Sequence, residues 1–198
     1  MTGVQTCALP ISASLLTSPI AFLVMLAPLG FVFFMSFRFE KMSYSSLMGT
    51  FLAFSAVMGL SLSTVFIAYK VGSVVQVFAI TAAAFGALSL YGYTTRRSLS
   101  AIGSFLVMGL FGIVIASLVN IFLQSSALQF GLNVLGLLVF AGLTAWDTQR
   151  LKDEYDYVAG DTEMMGKASV MGALTLYLDF VNMFQFLLSL FGQRNNNN

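Results

Sequence analysis

The chain contains several near-continuous apolar runs, each long enough to cross a lipid bilayer as a helix. The hydrocarbon core of a bilayer is about 30 Å thick and an α-helix rises about 1.5 Å per residue, so a span needs roughly 20 residues. Of the 198 residues, 58% are hydrophobic and only 9% are charged, far from the balance of a soluble domain. Because the runs do not alternate polar and apolar residues, they exclude a transmembrane β-barrel.

These runs predict an all-α fold, a polytopic membrane helix bundle. We expect a single transmembrane domain over residues 12–194 and a polar tail at 195–198. The six predicted spans are 18–37, 46–69, 73–93, 101–123, 129–149 and 170–191.

Basic residues indicate how the spans are oriented. Of the nine Lys and Arg residues, only Lys70 and Arg194 fall in connections on one side of the predicted bundle. The positive-inside rule makes the opposite side cytoplasmic. Its cations are Arg38, Lys41, Arg96, Arg97, Arg150, Lys152 and Lys167. No basic patch is dense enough to predict nucleic-acid binding, and the expected partner is the lipid bilayer.

The first eleven residues, MTGVQTCALPI, match the translation of a common short-read sequencing adapter. We therefore expect residues 1–11 not to be native, and the natural N-terminus to be missing. On this interpretation Cys7, the only cysteine, is not native either, and the natural protein has no disulfide chemistry.

The polar connection RLKDEYDYVAGDTEMMGK, at 150–167, carries five acidic residues. Their spacing lacks the alternating ligands and distal glutamate of a calcium loop, so we expect a solvated cytoplasmic loop. Because the chain has no histidine and a single doubtful cysteine, no zinc or haem site is expected. The sequence predicts no cofactor and leaves metal binding open.

Two aspartates lie inside or at the edge of predicted spans: Asp147 in TAWDTQR and Asp179 in LYLDF. Placing a carboxylate at mid-bilayer costs about 2.5 kcal/mol or more, so such residues are rare and usually functional. Two interpretations stay open. Each aspartate is a protonated packing contact, or the two form a proton-sensing or ion-handling pair.

Other polar residues fall at helical spacing around the aspartates. Thr175 and Asn182 share a helix face with Asp179, and Thr144 shares a face with Asp147. Asn120 ends a stripe of small residues, Gly112 and Ala116, that predicts close helix packing. These four polar side chains are the candidate supports of the site.

Four segments closely resemble the bacterial branch of the Bax inhibitor-1 family, the transmembrane Bax inhibitor motif proteins. They are GALTLYLDFVNMFQFLLSLFG, FAGLTAWDTQR, FGALSLYGYTTRRSLS and MGLSLSTVFIAY, and the resemblance covers about residues 18–194. It implies a non-enzymatic, seven-helix, multi-pass protein of the bacterial inner membrane, of which six spans are visible here. It also implies that the aspartates matching Asp147 and Asp179 are a pH-sensing pair that controls calcium leak, with calcium as the permeant ion.

The resemblance further implies a basic residue, near the cytoplasmic end of the second helix, that can latch onto the pair. Arg38 and Lys41 are the candidates here, and we prefer Arg38 because a guanidinium can hold carboxylate oxygens in a bidentate fork. Two features depart from the family pattern. The first family helix is missing, and the connection between the aspartates is longer than in compact members.

Three functions are therefore retained. The first is a pH-sensitive calcium leak channel. The second is a membrane regulatory protein that acts through a membrane protein partner, such as a membrane-bound protease. The third is an intramembrane aspartyl protease, which also needs two aspartates on adjacent helices, although the GxGD context typical of such enzymes is absent.

Overall fold

The computed structural model describes residues 41–195 together with Phe31, Phe34, Met35, Phe37 and Arg38. The segment 1–11, most of the predicted span 18–37 and the last three residues of the tail lie outside the described residues. The expectations for these segments therefore stay predictions.

The described part of the chain is helical, and no β-strand occurs in it. Five stretches are long and apolar enough to cross a membrane: 44–68, formed by α1 and α2, and each of α3 to α6. They confirm the all-α membrane fold and correspond to the last five predicted spans. The helices are α1 Tyr44–Ser63, α2 Val65–Ala68, α3 Val71–Thr94, α4 Ser100–Leu123, α5 Ser126–Val158 and α6 Thr162–Phe191.

The predicted span 46–69 is interrupted at Thr64, between α1 and α2. The hydroxyl groups of Ser61, Ser63 and Thr64 each donate to a backbone carbonyl three or four residues earlier. Such bonds compete with the helical ladder and bend membrane helices. Three hydroxyl residues in four positions therefore explain the break.

The chain divides into two compact units, residues 1–68 and 69–198. In the second unit α5 is the central helix, because it contacts α3, α4 and α6. Phe140, Leu143 and Met183 form the buried centre of this bundle. The ring of Phe180, on α6, contacts that of Phe78, on α3, edge to face at 5.4 Å between centroids. These contacts fix α5 and α6, which carry the two aspartates.

The prediction of a solvated loop at 150–167 is wrong. Its first nine residues continue α5 to Val158, its last six belong to α6, and only Ala159–Asp161 forms a turn. Asp161 caps α6, since its Oδ1 accepts from Glu163 N and Met164 N at 2.9 and 3.1 Å. Most of the charged residues that indicated a loop are exposed on a helical hairpin, and Lys, Arg and Glu among them are good helix formers. Lys167 is the buried exception, at 8% exposure. With 33 residues, α5 is roughly 50 Å long, so the hairpin extends beyond a hydrocarbon core of about 30 Å.

Close helix approach occurs at glycines other than those of the predicted small-residue stripes. A Cβ at Gly92 would overlap the backbone of Ala145, and one at Gly103 would overlap the Trp146 ring. At Gly112 no described residue lies within 4 Å of that position. The tight contacts therefore join α3 and α4 to the TAWDTQR segment of α5.

We expect Gly92→Ala to lower the free energy of unfolding by about 1–3 kcal/mol, because the added methyl must displace the Ala145 backbone. Gly86, on the same helix, has nothing within 4 Å and is the matched control. Gly86→Ala should be neutral or stabilising by up to about 1 kcal/mol, since alanine is the better helix former. Thermal unfolding in detergent, followed by circular dichroism, measures both. Equal stabilities of the two variants would contradict the close α3–α5 contact.

Candidate functional site

Asp147 and Asp179 face each other where α5 packs against α6. Their side chains lie within hydrogen-bonding reach of each other, and the residues are only 5% and 4% exposed. Two ionised carboxylates have only acceptor atoms, so a hydrogen bond between them requires a proton on one. The second Asp179 oxygen, Oδ2, is buried and has no hydrogen-bond partner among the described residues. The site is thus a buried pair of carboxyl groups, one from each helix.

The continuation of α5 past Gln149 makes this pairing geometrically sound. A helix ending at 149, as the predicted span does, would leave Asp147 in a fraying last turn. In the structure α5 runs eleven residues beyond Asp147, to Val158. Asp147 therefore lies on a fully formed helix that is packed along α6.

Arg150 is the cation at the pair in the described part of the chain. Its Nη1 lies 3.7 Å from Asp147 Oδ1, and its guanidinium stacks over the Trp146 ring at 5.2 Å from the centroid. The Arg150 side chain is 48% exposed, so the guanidinium reaches the pair from the solvent-accessible side. In the sequence, Arg150 contributes only to the predicted orientation of the spans. Its spacing of three residues from Asp147 indicates an ion pair only on a helix that continues past the predicted span end at 149.

The hydroxyl and amide groups proposed to support the aspartates donate hydrogen bonds to backbone carbonyls of their own helices. Thr144 is fully buried, donates to Phe140 O at 2.8 Å and lies 3.7 Å from Met183 Sδ. Thr175 and Asn182 each donate to the carbonyl four residues earlier, at 3.1 and 2.8 Å. None of these hydrogen bonds reaches an aspartate.

Asn120 belongs to a different polar cluster, at the opposite end of the bundle. Its Nδ2 donates to Gln129 Oε1, Gln129 Nε2 donates to Asn133 Oδ1, and Asn133 Nδ2 donates to Ser189 Oγ. The chain of bonds joins α4, α5 and α6. Asn133 precedes Asp147 by 14 residues on α5, which is roughly 21 Å along the helix. Asn120 therefore belongs to a hydrogen-bonded cluster that connects the ends of three helices, and it does not contact the aspartates.

The two candidate latch residues belong to the first compact unit. Arg38 is exposed, and its guanidinium lies 6.0 Å from the centroid of the Phe34 ring. Lys41 is also exposed. Their role at the aspartate pair stays a prediction.

Gln149 is a residue that the sequence reasoning missed. Its Oε1 accepts from Leu99 N at 2.8 Å, and its Nε2 donates to Arg97 O at 3.0 Å. Lys152 Nζ, one turn further along α5, donates to Tyr93 O at 3.1 Å. The α5 segment that carries Asp147 therefore also holds the connection between α3 and α4. Glutamine beside an expected span end gave no signal for this contact, since both partners are backbone atoms.

No group of three or more His, Cys, Asp or Glu side chains that could hold a metal ion occurs among the residues that the structure describes. The aspartate pair is thus a two-carboxylate site with one nearby guanidinium.

The family model described as "Inhibitor of apoptosis-promoting Bax1" matches residues 1–196 of the chain. The protein belongs to the Bax inhibitor-1 family. "Inner membrane protein YbhL" of Escherichia coli K12, a bacterial relative, is 47% identical over 172 residues, which cover 86% of this chain and 74% of that protein.

Two further relatives are similar to the chain at comparable levels. "Uncharacterized protein RP147" of Rickettsia prowazekii is 45% identical over 172 residues, covering 87% of this chain and 72% of that protein. An uncharacterized protein of Borreliella burgdorferi is 43% identical over 187 residues, covering 94% of this chain and 81% of that protein. The resemblance to the Bax inhibitor-1 family, read from the four segments, is thus confirmed.

Proposed function

We propose that this Bax inhibitor-1 family protein is a pH-sensitive calcium leak channel of the bacterial inner membrane, and that the Asp147–Asp179 pair gates it. The observation that carries the proposal is the contact of two buried carboxyl groups on adjacent membrane helices. The E. coli relative is named an inner membrane protein, which supports this location. The choice of calcium as the permeant ion rests on the family resemblance, and the proposed pH dependence rests on the aspartate pair.

The energetics of the pair favour a switch. Two unit charges about 4 Å apart repel by about 4 kcal/mol at an effective dielectric constant of about 20. The doubly ionised state is therefore disfavoured unless a cation compensates it, and the two groups titrate as one coupled unit. In our proposal the ionised pair attracts a cation and keeps the cytoplasmic side closed, whereas the protonated pair releases it.

Calcium entry into proteoliposomes tests this function. Vesicles containing the purified protein should take up calcium faster at acidic than at neutral pH. Protein-free vesicles should take up no calcium at either pH. If the folded protein gives no flux at any pH, the channel is excluded and a regulatory role through a protein partner is favoured.

One structural observation also suits the third function. Two buried aspartates on adjacent membrane helices are the minimal equipment of an intramembrane aspartyl protease. The GxGD context is absent around Asp179, which lies in LYLDF. Incubation with a model transmembrane substrate separates the two functions, because we expect no cleavage under conditions that give calcium flux.

The latch residue gives a separate prediction. Because a guanidinium can grip both oxygens of a carboxylate and an ammonium acts as a point charge, Arg38→Ala should raise calcium leak at neutral pH more than Lys41→Ala. Flux into proteoliposomes of matched protein content measures both variants. Equal effects, or a larger effect of Lys41→Ala, would show that Arg38 is not the latch.

A further inference from the structure

The segment of α5 around Asp147 contacts two different parts of the second unit. Asp147 faces Asp179 on α6. Gln149 is two residues further and points roughly 200° around the helix, to the backbone of Arg97 and Leu99. A rigid helix therefore lies between the aspartate pair and the connection at residues 95–99.

Gln149 pairs two backbone groups of the connection, which also has local hydrogen bonds to the hydroxyls of Thr95 and Ser98. Leu99 is the N-cap of α4 and supplies no side-chain cap. Leu99 is also 7% exposed, so water has little access to this helix start. The first turn of a helix has backbone groups without helical partners, and burying one unpaired is costly. Gln149 Oε1 takes the Leu99 N–H, while Gln149 Nε2 pairs the Arg97 carbonyl.

Contacts on both sides of Gln149 make this junction stiff. Gly92 packs against the Ala145 backbone and Gly103 packs against the Trp146 ring. The ammonium of Lys152 lies 4.7 Å from the centroid of the Tyr93 ring. Because α3 and α4 contact α5 this closely, we expect a shift of α5 at Asp147 to displace the ends of α3 and α4.

We propose that Gln149 is a positioning residue that couples the Asp147–Asp179 pair to the α3–α4 connection at residues 95–99. The coupling takes its trigger, a pair that titrates, from the function proposed above. Within the described residues, the charged groups that act on the pair are the two carboxyls, one from each helix, and Arg150. Arg96 and Arg97 are exposed on the connection itself, on the predicted cytoplasmic side. A protonation change at the pair would thus move a basic segment at the cytoplasmic mouth.

Thiol labelling of the connection tests the coupling without measuring calcium. Ser98 is exposed, and the only cysteine, Cys7, can be replaced, so Ser98→Cys in a Cys7→Ser background gives one reactive site. The reporter is the rate of modification by a water-soluble maleimide in detergent. Dividing it by the rate for Tyr157→Cys, on a residue 91% exposed at the hairpin tip, removes the intrinsic pH dependence of the reagent.

We expect the normalised rate at position 98 to change with pH in the otherwise unaltered protein, and Asp179→Asn to abolish that change. Gln149→Ala should raise the rate roughly tenfold at neutral pH and remove its response to pH. Gln149→Glu keeps the acceptor for Leu99 N but loses the donor to Arg97 O, so its rate should be intermediate. Gln129→Ala is the matched control, because Gln129 makes two side-chain hydrogen bonds at the other end of α5 and should leave the response intact.

The coupling is overturned if Gln149→Ala and Gln149→Glu both keep the unaltered pH response, or if Asp179→Asn does not affect it. Calcium flux measured on the same preparations separates this result from failure of the proposed function. A labelling rate at position 98 that depends on pH, in a protein that gives no calcium flux, would exclude the channel function and support the coupling. A pH-dependent flux together with a labelling rate at position 98 that does not respond to pH would support the channel and exclude the coupling.

Discussion

Asp179→Asn is expected to leak calcium at neutral pH at close to its acidic rate. Asparagine keeps the shape and much of the hydrogen-bonding capacity of the side chain but cannot ionise, so the variant imitates a permanently protonated Asp179. The neutral-pH flux should rise roughly tenfold, within the usual range of coupling energies, and the pH profile should be nearly flat.

Asp153→Asn is the matched control for this result. Asp153 lies on α5, on the exposed side of the hairpin, and no described contact joins it to the pair. Its profile should match that of the unaltered protein. A steep, unaltered profile in Asp179→Asn would return Asp179 to the role of a protonated packing contact.

Arg150→Glu is expected to move the pH midpoint of calcium flux upward by roughly one unit. The guanidinium 3.7 Å from Asp147 favours the ionised form of the pair, and a carboxylate in its place would oppose it. The pair should then keep its proton at higher pH, and the leak should open earlier as pH falls from the alkaline side. Screening by water limits the shift, because the Arg150 side chain is 48% exposed.

A graded series makes the Arg150 prediction specific. Arg150→Lys retains the charge and should shift the midpoint least, and Arg150→Gln should be intermediate. An unchanged midpoint in Arg150→Glu would mean that another cation, such as Arg38, controls the pair alone.

The sequence predicted the last five spans, because long apolar runs report directly on helices in lipid. Polar stripes on consecutive antiparallel spans also indicated that Asp147 and Asp179 can face each other, but a span ending at 149 left their pairing open. It failed at 150–167, where high charge density indicated a loop. There the helix is favoured by residues with good helical propensity, by the Asp161 cap and by packing of α5 on α6.

The supporting residues were harder to predict, for a physical reason. The roles of Thr144, Thr175 and Asn182 depend on which acceptor is nearest, and the carbonyl of the preceding turn is always close. Asn120 lies on the helix adjacent to α5, but spacing within one helix does not report the depth at which two helices meet. Gln149 pairs with backbone atoms some 50 residues away, which no side-chain pattern encodes.

The central claim is that Asp147 and Asp179 act as one proton-binding unit, and a double-mutant cycle of calcium flux against pH tests it most directly. The account predicts that Asp147→Asn, Asp179→Asn and the double variant have the same flattened profile, because either substitution alone disables the shared proton. Additive effects, with the double variant changed by the sum of the two single changes, would show that the aspartates act independently and would contradict the account.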